Sequence, residues 1–296
     1  MVNVMQKEVL LKNCGHEEQE LQAKILPEQG MNLCSFQGGL VEVIEPATEN
    51  LFQERYAGLG ALIGPHFHHR KPEIINLDFD TTLFPHIRRV QKKGIKEPFS
   101  HGIARYAPWK YQSSITQIQS RLTGKDTWKG LPLRQLEGQD FEMHLSMILM
   151  HYGLRIRYEV ESEGPSVLGF HYYFSLPDSD GVVIAEVKPE YRYKDRWQQI
   201  PAKWLSPDKR HLFFPAHLEA DFGFRPSSEE EHRIILRTKT YELHLIYLSA
   251  TEEHSFQIYR PREANYICIE PLSAIDPKNP VHNRNLIELK LEIFHY

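Results

Sequence analysis

Apolar and polar residues alternate with a period of two in several short stretches of the chain. The clearest is Leu154–Val160, Leu-Arg-Ile-Arg-Tyr-Glu-Val, which puts Leu154, Ile156, Tyr158 and Val160 on one face and Arg155, Arg157 and Glu159 on the other. Leu286–Phe294 alternates in part, and Tyr241–Leu248 is rich in strand-forming residues. Leu40–Ile44, Val182–Val187, His232–Arg237 and Tyr266–Ile269 are further short apolar or alternating runs. Helical patterning is sparse: Glu17–Ile25 predicts a short helix, and Ser114–Thr123 fits either element. Many short strands separated by turn residues predict an all-β protein, a sandwich or a barrel.

The 19 prolines and 17 glycines are spread along the chain rather than gathered in a linker, so one domain over residues 1–296 is expected. Apolar residues make up 41% and charged residues 25%, the composition of an ordinary globular protein. A formal charge of −4 with interspersed signs offers no footprint for nucleic acid or for an anionic membrane. Cys14, Cys34 and Cys268 are odd in number and scattered, with neither a disulfide framework nor a CxxC spacing. No apolar run has the length of a bilayer span, and residues 1–15 lack the apolar core of a signal peptide. A cytoplasmic protein is expected, monomeric or homodimeric.

Sixteen histidines are many for this length. His16, His86, His144, His151, His211, His232, His244, His254, His282 and His295 lack supporting context and read as solvated or hydrogen-bonded core residues. Three segments differ. His101-Gly102-Ile103-Ala104-Arg105 with Pro108-Trp109 reads as a loop, the usual place for displayed chemistry. On local evidence alone a plain turn with a packed Trp109 is the favoured reading. Gly169-Phe170-His171-Tyr172-Tyr173-Phe174 places a histidine among aromatics, which suits either a sugar pocket, where rings stack on C–H faces, or a buried aromatic ladder. Glu270 closes the apolar run Tyr266–Ile269 and precedes Pro271. A carboxylate at that border is partly desolvated and so a stronger base, or else an ordinary rim salt bridge.

Taken in order, these segments resemble the aldose 1-epimerase family of the galactose mutarotase-like superfamily. Ile25-Leu26-Pro27-Glu28-Gln29-Gly30-Met31-Asn32-Leu33 looks like the family's opening strand and turn. Gly58 to Arg70 looks like its arginine-bearing stretch, and the run from His101 to Trp109 like its first histidine motif. His171-Tyr172-Tyr173-Phe174 and Glu270-Pro271, the latter ahead of Asp276-Pro277-Lys278-Asn279-Pro280, resemble its later motifs. The resemblance spans about residues 25 to 280 and implies a large antiparallel β-sandwich that needs no cofactor and no metal. It implies Glu270 as general base and His171 as general acid, with Glu270 ionised and His171 protonated at the start. His101 and Arg70 would hold ring and hydroxyl oxygens, Asp221 (or else Glu219) would grip a hydroxyl, and Trp109 and Tyr173 would contact the sugar. The implied reaction interconverts α and β anomers of a hexose by ring opening. A hexose phosphate is also open, with Arg70, Arg88, Arg89 and Arg105 as the phosphate clamp.

Two other classes stay in view. His66-x-His68 with Glu73 mimics the first metal-binding motif of cupins, although no second motif follows and Pro65 and Arg70-Lys71-Pro72 suit a turn. A non-catalytic sugar-binding protein on the same fold is the other, since fold does not fix activity.

Overall fold

The computed structural model describes residues 8–13, 20–71, 73–75, 78–227 and 231–296. Cys14, His16 and Pro72 lie outside the described residues. Every paired strand is antiparallel, and the principal sheet follows one continuous order. It begins Gly60–Ile63, Gly169–Ser175, Tyr266–Leu272, Ser255–Arg260, Ala220–Pro226, and then reaches Val182–Tyr193. It continues through His232–Arg237, Tyr241–Ser249, Arg284–His295, Leu154–Ser162, Phe141–Leu149, Gln117–Thr123 and Lys110–Ser113. The strand Val182–Tyr193 joins the two halves. Its first part pairs with His232–Arg237 and its last part with Ala220–Pro226, with a register shift between Val187 and Tyr191. A shift of that kind bends a strand and raises its twist, which lets one strand serve two layers. The result is a large antiparallel β-sandwich.

The alternation in Leu154–Ser162 is realised in full: Leu154, Ile156, Tyr158, Val160 and Ser162 are buried, while Arg155, Arg157 and Glu161 are exposed. Tyr158 crosses the core to pack near Phe170, with ring centroids 5.9 Å apart. The expected strands at His232–Arg237, Tyr241–Ser249, Tyr266–Leu272 and Arg284–His295 all form, each within a few residues of its predicted limits. Ser114–Thr123 resolves as a strand over Gln117–Thr123.

The helix expected at Glu17–Ile25 does not form where it is described. Residues 17–19 lie outside the described residues, and Leu21–Leu26 is a strand. Leu21, Ala23 and Ile25 are fully buried at a spacing of two. The strand lies between Val9–Lys12 and Asn32–Gly38 in a separate four-stranded sheet. The helix-forming Gln22, Ala23 and Lys24 carry a weak local preference that two flanking ladders override.

Candidate active site

The register of four neighbouring strands builds the site. Tyr172 pairs with Ile269, so His171 falls opposite Glu270, and Tyr173 pairs with Cys268. The next strand adds Gln257 beside Glu270 and Tyr259 beside Cys268. The following one adds Gly223 beside Gln257 and Asp221 beside Tyr259. Side chains two apart share a face, so two rungs lie side by side: His171, Glu270, Gln257, Gly223 and then Tyr173, Cys268, Tyr259, Asp221. The alternate residues Phe170, Tyr172, Phe174, Ile267 and Ile269 point the other way into the core and are fully buried. The aromatic run therefore has two faces: Phe170, Tyr172 and Phe174 form a buried ladder, while His171 and Tyr173 face a cavity.

The rungs floor a cavity of about 360 Å³ lined by His68, His101, Arg105, His171, Tyr173, Asp221, Gln257, Tyr259 and Glu270, among others. That volume suits a small ligand such as a monosaccharide. At the floor His171 Nε2 lies 3.3 Å from Glu270 Oε1. Tyr173 stacks on the His171 ring at 4.9 Å and 13°. His101 meets the same ring edge-on at 5.2 Å. Glu270 Oε2, His171 Nδ1 and Arg105 Nη2 are buried with no hydrogen-bond partner. Such unpaired groups are costly inside a protein and mark a place where a polar ligand completes the bonding.

His101 is held by its loop. Its backbone lies at φ +67°, and Gly102 follows at φ +90°. A Cβ on Gly102 would sit 1.9 Å from the Gly64 carbonyl oxygen, so only glycine fits. Gly64 N donates to His101 O, His101 N to His68 O, and Ala104 N to Gly64 O. The His68 N–H points at His101 Nδ1 at 3.4 Å. With Nδ1 accepting, neutral His101 carries its proton on Nε2.

Burial governs the charge states. It pushes the Glu270 carboxyl well up, with the Arg105 guanidinium pulling the other way and Asp221 adding to the rise. Burial pushes His171 and His101 well down, and Arg105 adds to both shifts. Burial therefore works against the expected ion pair of ionised Glu270 and protonated His171, and toward a carboxylic acid facing a neutral imidazole, because desolvation penalises both charges. The two forms differ only by one proton moved across the 3.3 Å gap.

The remaining expected residues divide. His101, His171, Glu270, Tyr173 and Asp221 meet at the cavity. Asp221 accepts from Gln257 Nε2 at 2.7 Å, while Glu219 is exposed and off the cavity. Arg70 is not at the cavity. Its Nη2 and Nε bond Glu97 at 2.7 and 3.1 Å, and its Nη1 bonds the carbonyls of Leu136 and Glu137. The Arg70 side chain is a structural clasp with four of its five N–H groups engaged. Trp109 is also elsewhere: it is 3% exposed, and its Nε1 donates to Ala104 O at 2.9 Å beneath the His101 loop. The phosphate clamp of Arg70, Arg88, Arg89 and Arg105 does not assemble, since Arg89 bonds the carbonyls of Gln53 and Glu54 and only Arg105 reaches the cavity.

Other cations line the cavity instead: Arg55, Arg192, Lys194 and Lys278. Arg192 pairs with Asp276 and Lys278 with Asp195, both at 2.7 Å. The stretch Asp276-Pro277-Lys278-Asn279 carries Lys278, and Asn279 Nδ2 closes the turn on Asp276. Nothing local in the sequence marked Arg55, Arg192 or Tyr259, because strand register and helix ends bring them here.

The cupin-type set does not form. His66 Nδ1 contacts Glu137 at 2.6 Å, His68 stacks on His69 at the cavity, and Glu73 is exposed.

No family model matches the sequence, and no curated protein matches it. Solved structures match in fold. A galactose mutarotase-like protein from Lactobacillus casei aligns over 97% of this chain and 100% of its own, at 15% identity and a TM-score of 0.68. A candidate aldose 1-epimerase from Escherichia coli K12 aligns over 98% and 100%, at 14% identity and a TM-score of 0.64. A galactose mutarotase related enzyme from Lactobacillus acidophilus aligns over 98% and 97%, at 13% identity and 0.62. The chain shares the fold of these proteins. Among the described residues, no helix is long and apolar enough to cross a membrane.

Proposed function

We propose that the protein is an aldose 1-epimerase, interconverting the α and β anomers of a hexose or hexose phosphate with Glu270 as base and His171 as acid. The observation that carries this reading is the 3.3 Å contact between His171 Nε2 and Glu270 Oε1 on the cavity floor. The two reacting oxygens of an aldose, the anomeric hydroxyl and the ring oxygen, are bonded to one carbon. An acid and a base side by side suit them, rather than groups on opposite sides of the ring.

The step conserves the pair's single proton. His171 gives its proton to the ring oxygen as the C1–O5 bond breaks, and Glu270 takes the anomeric hydroxyl proton as the aldehyde forms. The pair then stands as neutral carboxylic acid and neutral imidazole, the form that burial favours. Rotation about C1–C2 and the reverse transfers close the ring on its other face. Arg105 offers its unpartnered Nη2 and supports the Glu270 anion when that form is needed. His101, with Nε2–H, would donate to a sugar oxygen, Asp221 and Gln257 would grip a hydroxyl, and the Tyr173 ring would line the sugar face. Each acid or base group typically supplies about 10²–10⁴-fold.

The test is anomer-exchange NMR on free and 6-phosphorylated hexoses. Exchange faster than the uncatalysed rate for one sugar, lost in Glu270→Gln, supports the reading. Tight sugar binding without exchange would replace it with a non-catalytic sugar-binding role.

A further inference from the structure

The second rung holds a thiol that ring opening leaves unused. Cys268 is 0% exposed and lies two residues before Glu270, on the same strand face. One ligand atom each from His171, Cys268 and Glu270 lies within 4.8 Å of the other two, the one such trio of His, Cys, Asp or Glu among the described residues. His171 and Glu270, 7% and 1% exposed, each keep one polar atom with no partner.

Thiolate, imidazole and carboxylate together are the donor set of a borderline-soft cation, whereas magnesium and calcium call for oxygen donors throughout. Tetrahedral zinc sets neighbouring donors roughly 3.5 Å apart, so the trio closes on such an ion with side-chain shifts of about 1 Å. Three protein donors leave a fourth position, and His171 and Glu270 line the cavity from which it would be reached. We propose that His171, Cys268 and Glu270 form a binding site for a zinc-type divalent cation, which shuts out the sugar by occupying the acid/base pair. On binding, the Cys268 thiol proton and the one proton held by the His171–Glu270 pair both leave to solvent, and sulfur, imidazole and carboxylate each donate a lone pair to the ion, with no change of oxidation state.

The experiment titrates metal-free protein with cadmium chloride and follows the thiolate-to-cadmium charge-transfer absorbance, with zinc chloride binding measured by calorimetry. One cadmium per chain with that band, displaced by zinc, is expected. Cys268→Ser abolishes the band and weakens zinc binding by at least about 100-fold. No stoichiometric band, or a band that survives in Cys268→Ser, overturns the site. If Cys268→Ser fails to fold, a Cys14→Ser/Cys34→Ser variant decides: the band must persist there, and its loss overturns the proposal. The readout is equilibrium binding, so cation binding without anomer exchange on any sugar would leave this site standing while removing the epimerase reading.

Discussion

His171 lies directly across a strand pair from Glu270, with Nε2 3.3 Å from Oε1, and both side chains are more than nine-tenths buried. Adjacent antiparallel strands set the two residues face to face, so the pair needs no loop to bring it together. The surrounding cavity then decides how the shared proton divides.

The first prediction follows from that burial. The raised Glu270 carboxyl means that the folded state binds its proton more tightly than the unfolded chain does. Stability from this group is full below the ordinary carboxylate range and declines as pH rises toward the folded value. Glu270→Gln removes the decline, so the variant should melt at the wild-type temperature or a few degrees above it at neutral pH. Anomer exchange should fall by about 10²–10⁴-fold. Calorimetry with the NMR assay checks both, and a variant that loses activity only because it unfolds would contradict the assignment.

Asp221 should act on binding rather than on the proton transfer. It sits one rung from Glu270 and accepts from Gln257 at 2.7 Å. Asp221→Ala should raise KM about tenfold or more, the cost of a hydrogen bond to a charged group, with a smaller change in kcat. Steady-state kinetics on the substrate found in the anomer screen would decide it, and an effect on kcat alone would move Asp221 into the proton-transfer step.

Gly102 should tolerate no side chain. It holds φ +90°, and a Cβ would lie 1.9 Å from the Gly64 carbonyl oxygen. Gly102→Ala must push the His101 loop off Gly64, costing roughly 1–3 kcal/mol in backbone strain and displacing His101. Thermal melts and activity should fall together. A variant with normal stability and normal rate would show that the loop position is not needed.

Much of this was legible in the sequence where the information is local. Leu154–Ser162 reads as a strand because one face is buried and the other solvated, which leaves a period of two. The residues flanking His171 and Glu270 leave two readings for each; the ordered resemblance singles out the pair, and strand register sets the two face to face. The charged partners were not legible, because the structure joins residues far apart in the chain. The resemblance implies Arg70 as a sugar contact, yet its partners Glu97 and the Glu137 carbonyl lie 27 and 67 residues away. Trp109 misled for the opposite reason: its motif is at the site, but its ring supports the loop from the core side. The Leu21–Leu26 strand misled because its helix-forming residues carry only a weak local preference against two neighbouring ladders.

Arg70 and Glu97 yield the last prediction, one that separates a structural clasp from a substrate contact. Burial alone would raise the Glu97 carboxyl, but hydrogen bonds from Arg70 and the charges of His66 and Arg70 hold it at about 2, against an ordinary 4.5. The folded state therefore prefers the ionised form. The stabilisation is full above about pH 4.5 and is lost as pH falls toward 2, amounting to roughly 3 kcal/mol by linkage. Arg70→Met leaves Glu97 buried without its guanidinium, at a cost of about 3–5 kcal/mol at neutral pH. Without Arg70, burial dominates, so the variant's deficit should shrink as acid protonates Glu97. Urea unfolding of wild type and variant at several pH values between 7 and 3 measures this. Convergence of the two stabilities at low pH, with an unchanged KM in the folded variant, is the expected result. A KM that rises with no loss of stability would return Arg70 to the sugar.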